Sequence, residues 1–300
     1  MGGDCGALRL ELLGPVRAWR GQRELRIDGP RRHAVLGMLA ARAGHPVPVR
    51  ELITGVWGEQ PPAAAVHWLH GHLAGLGQAL APCRPHRAAG PALAASGPGF
   101  RLRLGLADLD TGQLDQHVAQ ARQACTAGEL GRAVRLLDAA LGLYRDVPLA
   151  RVPGPWAAAE RLRAAELRLT LLEERIEMLL AMGRHDQVVP DLIGLTQAHP
   201  QRERFLGQLM VALYRAGRQA DALAQFAAAR QLRGLEPGPG LRRLRLQILT
   251  ADTSLMTVLP PGSGLPGGRR GGLSGLRQEA AAADPRRHTA ARPHARLAAR

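Results

Sequence analysis

LLAMGRHDQVVPDL (residues 179–192) recurs 34 residues later as LYRAGRQADALAQF (residues 213–226). Gly183 aligns with Gly217, Arg184 with Arg218, Val188 with Ala222, Val189 with Leu223 and Leu192 with Phe226. A period of that length, with a small residue in a tight turn between two amphipathic runs, marks a helical-hairpin repeat of tetratricopeptide type. A third copy lies upstream at CTAGELGRAVRLLDAAL, where Ala133, Val134 and Leu137 follow Gly128 at the same offsets of five, six and nine. Gly128 stands 55 residues before Gly183, which is one repeat plus a 21-residue insert. LYRDVPLARVPGPWAAAERLR matches that insert. The rest of the chain reads as something joined to the ends of this array.

Ahead of the array the periodicity is mixed. Apolar runs at 8–13, 16–19 and 24–27 surround Arg20-Gly21-Gln22-Arg23, so a hairpin at Gly21 and a small antiparallel sheet are expected. Residues 31–42 place Val35, Leu36, Leu39 and Ala40 on a helical stripe, with Gly44 as the stop. A second helix over 48–57 puts Val49, Leu52, Ile53, Val56 and Trp57 on one face, with Pro48 in its first turn. A third, over 63–80, spaces Val66, Leu69, Leu73, Leu76 and Leu80 by threes and fours. A Pro/Gly/His-rich loop (82–91) follows. Then 93–95 and 100–104 read as a hairpin around Gly97-Pro98-Gly99. Phe100, Leu102 and Leu104 alternate with Arg101 and Arg103, which sends apolar groups to one face and guanidinium groups to the other. Sheet, three helices and hairpin is the order of a winged helix-turn-helix.

From Thr111 the pattern is purely helical. Leu114, Val118 and Ala121 read as a helix before the first repeat hairpin, and 157–182 as one long helix carrying Leu162, Leu167, Leu172 and Ile176. Pro190 leaves two alternatives. A helix starting near Asp186 is weakened by it, and one starting near Val189 is not. Gly234-Leu-Glu-Pro-Gly-Pro-Gly breaks the array, and 241–249 caps it. Residues 253–300 hold eight Arg against Glu279 and Asp284 and no aromatic residue. That composition buries too little apolar surface to offset its ordering entropy, so disorder is expected. The expected fold is mainly α: a winged helix-turn-helix with a small β-sheet and wing (1–106), tetratricopeptide-like helical repeats (107–252) and a basic Gly/Pro/Arg tail (253–300).

The chain has a net charge of +15, and all of its basic side chains are arginine. Strong basicity favours an acidic partner, of which nucleic acid is the commonest. Cys5, Cys83 and Cys125 are isolated and odd in number, which fits a reducing compartment. MGGDCGALRL has no continuous apolar core of a secretory signal, and no apolar run approaches the ~18–20 residues that span a bilayer. A cytoplasmic protein without membrane contact is expected. No GxxxxGK[ST] loop and no catalytic triad can be assembled, so no enzyme class and no cofactor is implied. His67, His70 and His72, with Cys83-x-x-His86 nearby, match no zinc spacing, so no metal site is expected. Arg202, Glu203, Arg204, Arg215 and Arg218 read as a solvated, ion-paired face. Trp57, Trp68 and Trp156 read as core or interface anchors.

These segments resemble one family. GPVRAWRGQRELRIDGPRRHAVLGMLAARAG, PVPVRELITGVWGEQPPAAAVHWLHGHLAGLGQAL and GPGFRL look like the winged-helix domain of the antibiotic regulatory proteins of actinobacteria. The repeats, with HPQRER before the last of them and GLEPGPGLRRL after it, resemble that family's bacterial transcriptional activation domain. The likeness covers about 8–252. It implies an activator of a biosynthetic gene cluster. The third helix would enter the major groove of double-stranded DNA, and the wing would approach phosphates or the minor groove. The helical domain would form a homodimer and touch RNA polymerase. Arg31, Arg32, Arg50, Arg101 and Arg103 are then the phosphate-facing cations. The base readers would be His67, His70, His72 and Gln78. One departure stands out: where the family carries V-S-x-L-R, this chain has Leu73-Ala74-Gly75-Leu76-Gly77, and no Arg, Asp or Glu occurs between Pro61 and Pro82. A protein-interaction module with a weakened DNA-binding domain is therefore the alternative. The regulator reading requires the third helix to keep one face free for a groove.

Overall fold

The computed structural model describes residues 6–81, 92–233 and 236–256. The loop over 82–91 and all of the tail beyond Met256 lie outside the described residues.

β1 (Leu8–Glu11), β2 (Arg17–Arg20) and β3 (Arg23–Leu25) form the leading antiparallel sheet, with Leu10 opposite Ala18 and Ala18 opposite Leu25. α1 (Pro30–Ala41), α2 (Val49–Trp57) and α3 (Ala65–Ala79) follow. A second sheet is built from β4 (Val47–Pro48), β5 (Leu93–Ser96) and β6 (Gly99–Leu102), in the order β4-β6-β5. Pro48 differs from expectation: it is the last residue of β4 and caps α2 from outside, so its missing N–H disturbs no helix bond. Ala34 through Ala40 are all buried, because α1 is covered by α2, α3, β6 and the repeat domain at once. The Arg20 guanidinium ties the leading sheet to the end of α3 by donating to the Leu80 carbonyl at 2.7 Å.

The repeat domain contains three hairpins: α4 (Asp110–Thr126) with α5 (Leu130–Gly142), α6 (Pro155–Ala181) with α7 (His185–Ala198), and α8 (Glu203–Arg215) with α9 (Gln219–Arg233). α10 (Pro239–Leu249) closes the stack through Leu241, Leu244 and Ile248. The helix holding Leu114 and Val118 is thus the first arm of the first repeat, not a helix before it. Gly128, Gly183 and Gly217 have φ of 79°, 74° and 74°. At each the following amide reaches back to the same carbonyl of the last turn: Glu129 to Ala124 at 2.8 Å, Arg184 to Leu179 at 2.9 Å, Arg218 to Leu213 at 2.9 Å. These are Schellman caps, which need a left-handed residue. Five residues on, Ala133, Val188 and Ala222 are fully buried in all three copies.

Gly183→Ala and Gly217→Ala should each cost about 1–2 kcal/mol, because an added Cβ meets nothing within 4 Å and only the positive φ opposes it. A lower urea midpoint with an unchanged slope is the expected measurement.

Pro190 is the sixth residue of α7, so the helix begins before it and forgoes one backbone bond. Leu162 does not join the core; it is 71% exposed on α6. Thr253–Leu255, expected as the start of a disordered tail, forms a 3-10 turn whose Leu255 carbonyl accepts from Arg215 at 2.8 Å. The basic face of HPQRER is also different from expectation. Glu173 is 4% exposed and takes hydrogen bonds or ion pairs from Arg202 at 2.6 Å and Arg204 at 3.6 Å, while Arg202 also reaches Glu166 at 2.7 Å. The Glu203 carboxylate accepts from the Gly238 amide at 2.9 Å. This run clamps α8 to α6 and to the segment before α10; Arg218, paired with Asp221, stays at the surface.

The two parts of the chain are fused by the insert and by one carboxylate. Residues 143–154 leave the repeats, cross to the N-terminal part and return as the start of α6. Trp156 sits between α1 and α2, where a Cβ on Gly37 would lie 2.9 Å from its ring and one on Gly55 would lie 3.3 Å from its Cβ. Leu149 and Arg151 hold φ of 52° and 61° without being glycine. That strain, of order 1–3 kcal/mol each, is held by the Leu149 amide donating to Leu12 at 3.0 Å and by Arg161 donating to the Leu149 and Val152 carbonyls. Asp110, 4% exposed at the start of α4, accepts from the Leu12 and Leu13 amides at 2.7 and 2.8 Å and from Arg145 at 2.8 Å.

Candidate nucleic-acid interface

α3 keeps the free face that the regulator reading requires. Its buried side is Ala65, Leu69, Leu73 and Leu76. Val66, expected on that side, is 49% exposed; its place is taken by Ala65. At 100° per residue, His67, Gly71, Ala74 and Gln78 fall on one outward strip, and all four are exposed. Trp68, His72 and Gly75 flank the strip on one side, and Val66, His70 and Gly77 on the other.

The contacts say what each flank faces. His72 stacks on Trp57 of α2 with ring centroids 6.1 Å apart. His70 lies edge-on to Phe100 of β6 at 6.1 Å, and its Nδ1 donates to the Val66 carbonyl at 2.9 Å. One flank therefore abuts α1 and α2, and the other abuts the wing. His67, His70 and His72 point three ways and do not converge. Trp68 is 43% exposed, so it anchors no core; Trp57 is half-buried under His72.

The predicted cations divide into groups. Arg31 and Arg32 stand at the start of α1 beside α3. Burial, then Arg32 and Arg31, hold the His72 pKa below its ordinary value. Arg50 opens α2 next to the wing turn, where the Val49 amide donates to Pro98 at 3.2 Å. Arg101 of β6 and Arg103, just past its end, alternate with Phe100 and Leu102. They line a shallow cleft with Leu8, Gly44, Gly105 and Asp108, so the structure does not bring them together with α3. Arg9, Arg17, Arg26 and Arg42 each pair with an acid. None of the five predicted arginines does so among the described residues. The Nε atoms of Arg32 and Arg101 are buried without an acceptor there. Each of these two side chains is a partly dehydrated cation with no acid of its own, a state that an anion relieves.

Sequence reasoning missed Gly75. A Cβ on it would stand 2.6 Å from the Arg32 Cζ, so the guanidinium lies directly on the helix backbone there. Gly71 and Gly77 have nothing within 4 Å. The available signal was a glycine inside a helix, which costs about 1 kcal/mol against alanine and so implies a packing reason.

Residues 109–249 match the family described as bacterial transcriptional activator domain. The regulatory protein DnrI of Streptomyces peucetius is 32% identical over 256 residues, which is 83% of this chain and 94% of DnrI. The chain belongs to the antibiotic regulatory protein family of actinobacterial transcriptional regulators. A second member, the regulatory protein AfsR of Streptomyces coelicolor, is 42% identical over 258 residues, 84% of this chain; the chain spans 25% of AfsR's length. Among solved structures, EmbR of Mycobacterium tuberculosis, in complex with a low-affinity phosphopeptide, superposes with a TM-score of 0.73 at 30% identity. That superposition covers 83% of this chain and 68% of EmbR. The family's fold, a winged-helix N-terminus followed by a helical region, is the fold described above. Among the described residues no helix is long and apolar enough to cross a membrane.

Proposed function

We propose that the chain is a DNA-binding transcriptional regulator in the cytoplasm, an activator of a biosynthetic gene cluster. Residues 1–106 dock on double-stranded DNA with α3 in the major groove. Residues 107–252 contact a second copy of the chain and RNA polymerase. No residue is assigned a catalytic role. The observation that carries this reading is the outward strip of α3. It bears no acid and is bordered by Arg31 and Arg32, cations without ion pairs among the described residues. Phosphates are the partner such a surface fits, and each neutralised phosphate steepens the salt dependence by about 0.9 in log K against log salt.

A mobility-shift titration on the gene's own upstream duplex tests it. Wild-type protein is expected to bind at low salt. Arg31→Ala, Arg32→Ala and Arg50→Ala together should flatten the slope by about three, one per phosphate contact. Failure of the wild-type protein to bind at low salt would sink the reading.

One observation favours a second reading. Gly71, Ala74 and Gly77 leave the outward side of α3 without the arginine that most commonly reads guanine, a contact of roughly 1–3 kcal/mol discrimination. On that reading the chain is a protein-interaction module with a weakened DNA-binding domain. The same triple substitution would then leave regulation in the host intact, and changes on the repeat surface would abolish it.

A further inference from the structure

α3 lacks its own cation, yet a guanidinium lies on it. Arg32 comes from α1, 43 residues before Gly75 in the chain, and its head group occupies the place of a side chain at position 75. An ideal Cβ there would be 2.6 Å from Cζ and from Nη2 and 3.1 Å from Nε. Every residue but glycine displaces the head group. Nε is buried without an acceptor, and no acid pairs with Arg32 among the described residues. The nearby Asp28 is taken by Arg26 at 3.0 Å.

We propose that Gly75 is a positioning residue: its bare backbone seats the Arg32 guanidinium beside the outward strip of α3, so that α1 supplies a phosphate-binding cation to a helix whose sequence has none. The seat lies on the flank next to Gly71 and Gln78, about 70° from the centre of the strip by helical phase. A cation there meets the sugar–phosphate wall of the groove that the strip enters. The mid-helix glycine thus reads as an adaptation of the docking surface, with Arg32 supplying a cation on the flank that faces α1. This inference rests on the DNA-binding reading above.

The test uses Gly75→Ala in the full chain, because its two readouts move in opposite directions. Alanine raises helix propensity, so thermal stability should hold or rise. Displacement of Arg32 should weaken binding to the upstream duplex and to a mixed-sequence duplex alike, and reduce the salt slope by about one. Arg32→Ala should give the same loss, and the double variant no further loss, since both remove one contact. A measurement without DNA is independent of the docking reading. His72 stacks on Trp57 and is held down first by burial, then by Arg32 and Arg31, so its NMR titration midpoint should move up in Gly75→Ala as the larger of the two positive influences is displaced. Unchanged binding and slope in Gly75→Ala, with the wild type bound, overturn the seat and leave the regulator reading standing. No wild-type binding on either duplex overturns both. An unmoved His72 midpoint overturns the seat whatever the DNA result.

Discussion

Asp110→Ala is expected to lower the unfolding free energy by about 3–5 kcal/mol, the range for breaking a buried, hydrogen-bonded ion pair from one side. Four groups lose their acceptor together: the Leu12, Leu13 and Thr111 amides and the Arg145 guanidinium. The Leu12 and Leu13 amides, at 2.7 and 2.8 Å, have the carboxylate in place of a strand partner just past the end of β1. Arg145, 32% exposed at its side chain, is left among the described residues with Glu11 at 3.5 Å. An amide without an acceptor in a buried place costs about 1–3 kcal/mol, and there are two of them. Asp110→Asn keeps one carbonyl oxygen and should lose less. A urea titration followed by circular dichroism orders the three proteins. Equal midpoints for wild type and Asp110→Ala would show that the carboxylate does not hold the two parts together.

Trp156→Ala carries the second largest effect, near the lower end of the ~3–5 kcal/mol for truncating a core tryptophan, because the residue is only half-buried. Its consequence is also architectural. The indole fills the space above Gly37 and beside Gly55, and Gly154, at φ 98°, brings the chain so close that a Cβ would be 2.6 Å from the Gly55 carbonyl. Without the ring, α1 and α2 lose their principal contact with α6. The wild type should unfold in one thermal transition, and Trp156→Ala in two, the N-terminal part first. Faster proteolysis within 143–154 should accompany the change, because the strained turn at Leu149 and Arg151 is held by that same seam. A single transition with unaltered proteolysis in the variant would place the seam elsewhere.

Much of this molecule is legible in residue order. Gly128, Gly183 and Gly217, each with a small or branched residue five positions on, announce the hairpins. Their left-handed turns and buried partners depend on only a dozen neighbours along the chain. Alternation in Phe100–Leu102 and the stripe Leu69, Leu73, Leu76 likewise report one face of one element. The errors have a common cause. Val66, like Leu162 and Trp68, has the chemistry of a core residue, but whether a face is covered depends on another element arriving there. Arg202 and Arg204 look like surface charge until Glu173 of α6 is placed between them.

The periodic pattern of apolar and turn-forming residues specified which helices and strands form and in what order, since helix phase and caps are near-neighbour physics. It was silent on the meeting of Asp110 with Leu12, of Trp156 with Gly37, and of Arg32 with Gly75. Those contacts join residues 43 to 119 positions apart, and a 3.6-residue period carries no information about which faces will oppose each other. Packing made that choice, and with it turned an insert into a domain seam and a helix-weakening glycine into room for a cation.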